Sequence, residues 1–184
     1  MTDPGADHDF CEAAVLRDGT PATIRVMRPE DRDKLVAAFA KLDPHSIYTR
    51  FFSFRKELPE GPLNRIASID FVQLAGLVVT VGEGADEVII GSATYVAATA
   101  ADGARQAEVA FTIEEEYQGQ GLASRLLAAL AGMARKHGIA RLKAEVLASN
   151  APMLAVFQRS GLPMRKRREG GEIHIELDLA QEPV

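Results

Sequence analysis

The chain has 184 residues, 47% hydrophobic and 26% charged, which suits a single domain able to bury a sizeable core. Its formal net charge of −5 disfavours a general nucleic-acid binder, and no apolar run approaches the roughly 20 residues that span a bilayer. A lone cysteine, Cys11, excludes an internal disulfide and a cysteine metal cluster; the acidic start MTDPGADHDF lacks the order of a secretory signal. A cytoplasmic protein with no metal and no membrane association is expected.

Residues 1 to 12 read as a polar, mobile leader, and residues 13–184 as one domain. PATIRVMR (Pro21 to Arg28) alternates as a half-buried strand should. Pro29 and Glu30 open a helix to about Lys41, with Leu35, Val36, Phe39 and Leu42 on one face. Asp43-Pro44 breaks it. HSIYTRFF (His45 to Phe52) predicts a second short helix, with Tyr48, Phe51 and Phe52 toward the core and Arg50 toward a partner. LNRIASI (Leu63 to Ile69) offers a third.

Three strands are predicted next, at Leu74 to Val81, Glu87 to Ala97 and Gln106 to Ile113, joined by turns rich in Gly and Asp. A helix then runs from the glycines of EEEYQGQGLASRLL to about His137, with Gly138 as its C-cap. A strand from Arg141 to Ala148, a helix from Ala151 to Ser160, a Gly161 cap and two closing strands complete the pattern. The basic run Arg165-Lys166-Arg167-Arg168 falls on the first of these strands and reads as a solvated face. The fold class is α+β, a mostly antiparallel sheet flanked by helices.

The loop of Gly119 and Gly121 stands before a helix that has no Ser, Thr, Asp or Asn to cap it. First-turn N–H groups lack intrahelical partners and carry the positive end of the helix dipole, and glycine lets an anion approach them closely. A tight structural turn explains the glycines equally well. Dinucleotide and Walker signatures both fail here, the first at Ser124 and the second for want of a Gly-Lys-Ser/Thr ending.

Read from Gln118, the loop Gln118-Gly119-Gln120-Gly121-Leu122-Ala123 resembles the Gln/Arg-x-x-Gly-x-Gly/Ala signature of the Gcn5-related N-acetyltransferases, the GNAT superfamily. The strand before it, the helix after it, Asn150 and Arg159-Ser160-Gly161-Leu162 agree, so the likeness covers about residues 20 to 180. It implies a splayed mixed sheet and acetyl-CoA as the donor. It assigns the CoA pyrophosphate to Gln118, Gly119, Gln120, Gly121, Leu122 and Ala123, with Ser124 and Arg125 nearby. The pantetheine arm would pair with the backbone at Phe111 and Ile113, beside Asn150, which also suits an N-cap. HSIYTRFFSFRKEL and AEVLASNAPML are similar to segments of bacterial protein-lysine acetyltransferases, where the domain is often fused to a nucleotide-binding or synthetase-like region. Here the domain is expected to stand alone.

Acetyl transfer needs a neutral amine, whereas free lysine has a pKa of about 10.4. The resemblance places the base at Glu108 in Ala107-Glu108-Val109-Ala110, facing a partly dry cleft. Alternation sets Glu108, Ala110 and Thr112 on one face, opposite Val109, Phe111 and Ile113. Glu114, Glu115 and Glu116 are expected to point outward, away from a pyrophosphate. Phe157 stands where many relatives have a tyrosine that protonates the leaving thiolate; His174 reads as structural. The expected activity is N-acetylation of protein lysines. A small amine or amino acid as acceptor, and a non-catalytic CoA-binding module, stay open as rivals, as does a homodimer.

Overall fold

The computed structural model describes residues 7–51 and 60–180, and of residues 48–51 and 62 the backbone alone. Alternation and turns lay down the first half as a meander. Strands β1 (Cys11–Val15) and β2 (Pro21–Val26) form a hairpin, followed by a 3-10 turn at Pro29–Asp31 and helix α1 (Arg32–Lys41). Helices α2 (Pro44–Phe51) and α3 (Glu60–Arg65) precede strands β3 (Leu74–Val81), β4 (Val88–Thr99) and β5 (Arg105–Ile113). The second half holds α4 (Leu122–Lys136), β6 (Arg141–Leu147), α5 (Ala151–Gln158), β7 (Met164–Glu169) and β8 (Glu172–Asp178).

The eight strands form one sheet in the order β1-β2-β3-β4-β5-β6-β8-β7. Every neighbouring pair is antiparallel except β5 and β6. On one face α4 buries Leu122, Leu126, Leu127, Leu130 and Met133 against Ala107, Val109, Leu142 and Leu177. Each fully buried leucine contributes about 1.5–3 kcal/mol, so this helix is fixed by its stripe rather than by propensity. On the other face α1 lays Leu35 near Val78 and Ile89, while Val36 turns to solvent. Among the described residues no helix is long and apolar enough to cross a membrane.

Two expectations change. Residues 7–12, expected in a mobile leader, are part of the fold: Cys11 and Glu12 begin β1, and the buried Asp7 accepts from Lys136 Nζ at 2.8 Å. The Asp18-Gly19 turn, with Gly19 at φ 88°, was the signal for that hairpin. The third helical piece begins at Glu60 and tightens to a 3-10 turn over Ile66–Ser68. β7 is solvated as expected, with Arg165 through Glu169 exposed. The side-chain directions expected of Tyr48, Arg50, Phe51 and Phe52 lie outside the described residues.

Candidate functional site

The one parallel pair makes an opening. β5 and β6 pair only from Gln106–Glu108 to Arg141–Lys143, and beyond that they part. β5 keeps β4 as its partner to Ile113, and β6 keeps β8 to Leu147. From Val109 to Ile113, β5 therefore has no strand partner on its β6 side. The gap is a cavity of about 90 Å³ whose wall includes Glu108, Phe111, Glu145, Asn150, Met153 and Phe157. The buried Phe157 meets Phe111 edge-on, ring centroids 6.0 Å apart, and closes the floor with carbon rather than a phenol. A second cavity of about 210 Å³ shares Phe111, Asn150 and Met153 and continues past Ile113, Gln118 and Ala123 toward His45 and Ser46.

The glycine loop borders this second cavity. Gly119 (φ 71°) and Gly121 (φ 81°) adopt the left-handed conformation, and Gly121 is the N-cap of α4 with no side chain capping the helix. The first-turn N–H groups of Leu122, Ala123 and Ser124 have no intrahelical partner by helix geometry. A Cβ at either glycine would meet nothing within 4 Å, so space over the backbone is clear.

Several side chains of the loop are already engaged. Gln118 Nε2 donates to the Ile113 carbonyl at 3.0 Å, and its own N–H is spent on Glu115 O at 3.2 Å. Gln120 Oε1 accepts from the Arg17 N–H at 2.9 Å, and Leu122 is part of the core. Arg125 is ion-paired with Glu12 and donates to Ala13 O at 2.7 Å. Gln118, expected on a pyrophosphate, thus has its N–H bonded to Glu115 O, and Arg125, expected nearby, is paired with Glu12. Asn150 Oδ1 accepts from Met153 N–H at 3.2 Å, which makes it the α5 N-cap while it also lines both cavities.

Glu108 is exposed, not enclosed in a dry cleft. It stands where the strand gap meets a third cavity, about 600 Å³, on the outer face of the sheet. The floor of that cavity is a cross-strand row: Glu108 pairs in register with Lys143, Lys143 with Glu176, and Glu176 with Arg165. A second row runs Glu145, His174, Arg167. His174 Nδ1 lies 3.5 Å from Glu145, and Nε2 3.5 Å from Glu169.

The glutamate triplet does not point outward as a unit. Glu114 is only 8% exposed, and its Oε1 has no hydrogen-bond partner among the described residues. Lys41 Nζ approaches that oxygen to 3.8 Å. Leu35, Ala38, Phe39 and Leu42 form the wall around it. Burial pushes its carboxyl above the ordinary range; Lys41 opposes this, and Glu115 and Glu116 add to it. The signal was the alternation of β5 carried one step further, since 108, 110, 112 and 114 share a face. Glu115 accepts from Asp43 N–H at 3.2 Å, and Glu116 is exposed.

These features coincide with a known family. Residues 43–162 match the model of the acetyltransferase (GNAT) family, and the chain belongs to that family. It is 30% identical over 164 residues to acetyltransferase Pat of Mycolicibacterium smegmatis, an alignment covering 89% of this chain and 47% of Pat. Acetyltransferase PA5475 of Pseudomonas aeruginosa is 33% identical over 138 residues, 75% of this chain and 73% of that protein. The crystal structure of the GNAT domain of S. lividans PAT superposes with a TM-score of 0.79 at 34% identity, covering 91% of this chain and 96% of that one. The chain spans about half the length of the M. smegmatis relative. The mixed, splayed eight-stranded sheet is the GNAT fold.

Proposed function

We propose that this acetyltransferase moves an acetyl group from acetyl-CoA directly to the side-chain amine of a protein lysine, in the cytoplasm. The observation that carries the reading is the position of Glu108, on the shared wall of the strand gap and the outer cavity. The residues suit the donor. The uncapped N-terminus of α4, with clear space over Gly119 and Gly121, fits a pyrophosphate held by backbone N–H groups. The edge of β5 at Phe111 and Ile113, which no strand covers, fits an extended amide-bearing arm beside Asn150; at Ile113 the arm would replace Gln118 Nε2 on the carbonyl.

When bound, acetyl-CoA supplies an activated acetyl thioester. Glu108 removes the proton from the acceptor ammonium and, being exposed, passes it to solvent. Unpaired N–H groups along β5 are the donors available to a developing oxyanion. Phe157 has no proton to give, so solvent protonates the thiolate. A protein acceptor is supported by the exposed β7 wall and by the likeness of His45 to Leu58 to protein-lysine acetyltransferases.

Purified chain should acetylate lysine peptides in preference to free amines and amino acids, as read by mass spectrometry. Replacing Glu108 with Gln should lower kcat/KM about 10²-fold or more at pH 7, while calorimetry should find acetyl-CoA binding little altered. Near-normal turnover of that variant would remove the base assignment. A wild type that binds acetyl-CoA and acetylates nothing would instead favour a sensor module, and one that binds none would reject the donor.

A further inference from the structure

We propose that β7 selects acceptor lysines that carry an acidic residue about four positions away along an extended segment. This rests on the reading of the chain as a protein-lysine acetyltransferase.

The outer cavity is polarised across the sheet. Its β5–β6 end carries Glu108 and Glu145 with Lys143, whose ammonium leans toward Glu176, and its β7 end carries Arg165, Lys166 and Arg167. Between them, Glu176 is matched on both sides, 3.9 Å from Lys143 Nζ and 3.8 Å from Arg165. The cationic end is solvent-facing: the side chains of Arg165 and Arg167 are 89% and 74% exposed. Arg167 also contacts Glu169 at 3.1 Å, but an exposed pair of that kind contributes little and is readily exchanged for another carboxylate. Arg168 Nε donates to Gly170 O at 3.2 Å. β7 is the last strand of the sheet, so one side of its backbone has no strand partner. Of the four consecutive basic residues at this edge, Arg165 and Arg167 share the face of the row, while Lys166 and Arg168 pair with Ile175 and Ile173 on the alternate register, so two exposed guanidiniums are what an acidic side chain would meet.

Register fixes the spacing. From Glu108 the row crosses to Lys143, Glu176 and Arg165, three strand steps. At about 4.8 Å per step this is roughly 14–15 Å, and an extended chain covers it in about four residues at roughly 3.3 Å each. The acceptor ammonium is attracted to the Glu108 and Glu145 end while the acid four positions off lies over Arg165 and Arg167. A nucleic acid fits less well, because Glu169, Glu172 and Glu176 flank the basic run.

The test uses single-lysine peptides with Glu, Ala or Arg placed four residues before or after the lysine, and a set with Glu adjacent to it. Initial rates with acetyl-CoA are read by mass spectrometry. On at least one side the Glu peptide should exceed the Arg peptide about tenfold in kcat/KM, and adjacent Glu should help less. The preference should shrink as salt rises from low to roughly 0.5 M, and should invert in Arg165→Glu/Arg167→Glu. Wild-type and salt data decide the matter even if that variant folds poorly. Equal kcat/KM for the Glu, Ala and Arg peptides overturns the inference and leaves lysine acetylation intact. Oligonucleotide binding without peptide preference also overturns it. Acetylation of free amines but of no peptide removes the underlying reading and this inference with it.

Discussion

Glu108 and Glu114 point to the same face of β5, yet one reaches open water and the other is walled in by α1. The difference is not in the residues but in what the helix covers. Because burial raises its titration, Glu114 in the folded chain holds its proton to higher pH than the ordinary 4.5. As pH rises through that range the unfolded chain releases the proton first, so ionised Glu114 lowers stability above it and not below. Glu114→Gln should therefore raise Tm at pH 7 and change it little near pH 4. Thermal melts at the two pH values check this. A lower Tm at pH 7 would mean that the Lys41 contact outweighs the cost of burial. The face of β5 was legible from alternation; the cover over Glu114 was not, because α1 comes from 80 residues earlier in the chain.

At the scale of the element, α4 shows how local and tertiary demands divide. Its apolar stripe and the Gly138 cap (φ 71°) are local, and both appear in the sequence. The frame of Gly119 and Gly121 is local as well. What the sequence could not show is that Gln120 and Arg125 are claimed by distant partners, Arg17 and Glu12. Gly121→Ala should cost about 1 kcal/mol from the positive φ alone, since the space beside it is clear. It should also weaken acetyl-CoA binding, as relief of that strain turns the first-turn amides. Urea denaturation measures the first effect and calorimetry the second. Unchanged affinity would place the pyrophosphate elsewhere.

At the scale of the whole molecule, a largely buried ion-pair cluster ties α1 to the sheet. Near its first edge, Arg25 on β2 donates to Asp31 at 2.8 Å and to Glu87 at 2.8 Å, and Lys34 reaches Glu87 at 2.7 Å. The Arg25 and Asp31 side chains are 8% and 4% exposed, so this cluster fixes α1 on the sheet. Removing the guanidinium with Arg25→Ala should cost about 3–5 kcal/mol by leaving Asp31 buried without its cation. Its hydrogen bonds hold the Glu87 carboxyl down at about 2, against an ordinary 4.5. A depressed carboxylate gives stability that is complete above 4.5 and lost as pH falls toward 2. Acid unfolding of wild type should steepen in that window, and Arg25→Ala should flatten it in a circular-dichroism titration. By itself the sequence determined the strand and helix periods, the glycine frame and the face of Glu108, because each depends on neighbours within a few residues. Only the tertiary structure decided that β5 and β6 part after Glu108. It also set Glu108, Lys143, Glu176 and Arg165 in one row and turned Glu114 inward. Those outcomes depend on the pairing of strands far apart in the chain, and no local pattern encodes which strands meet.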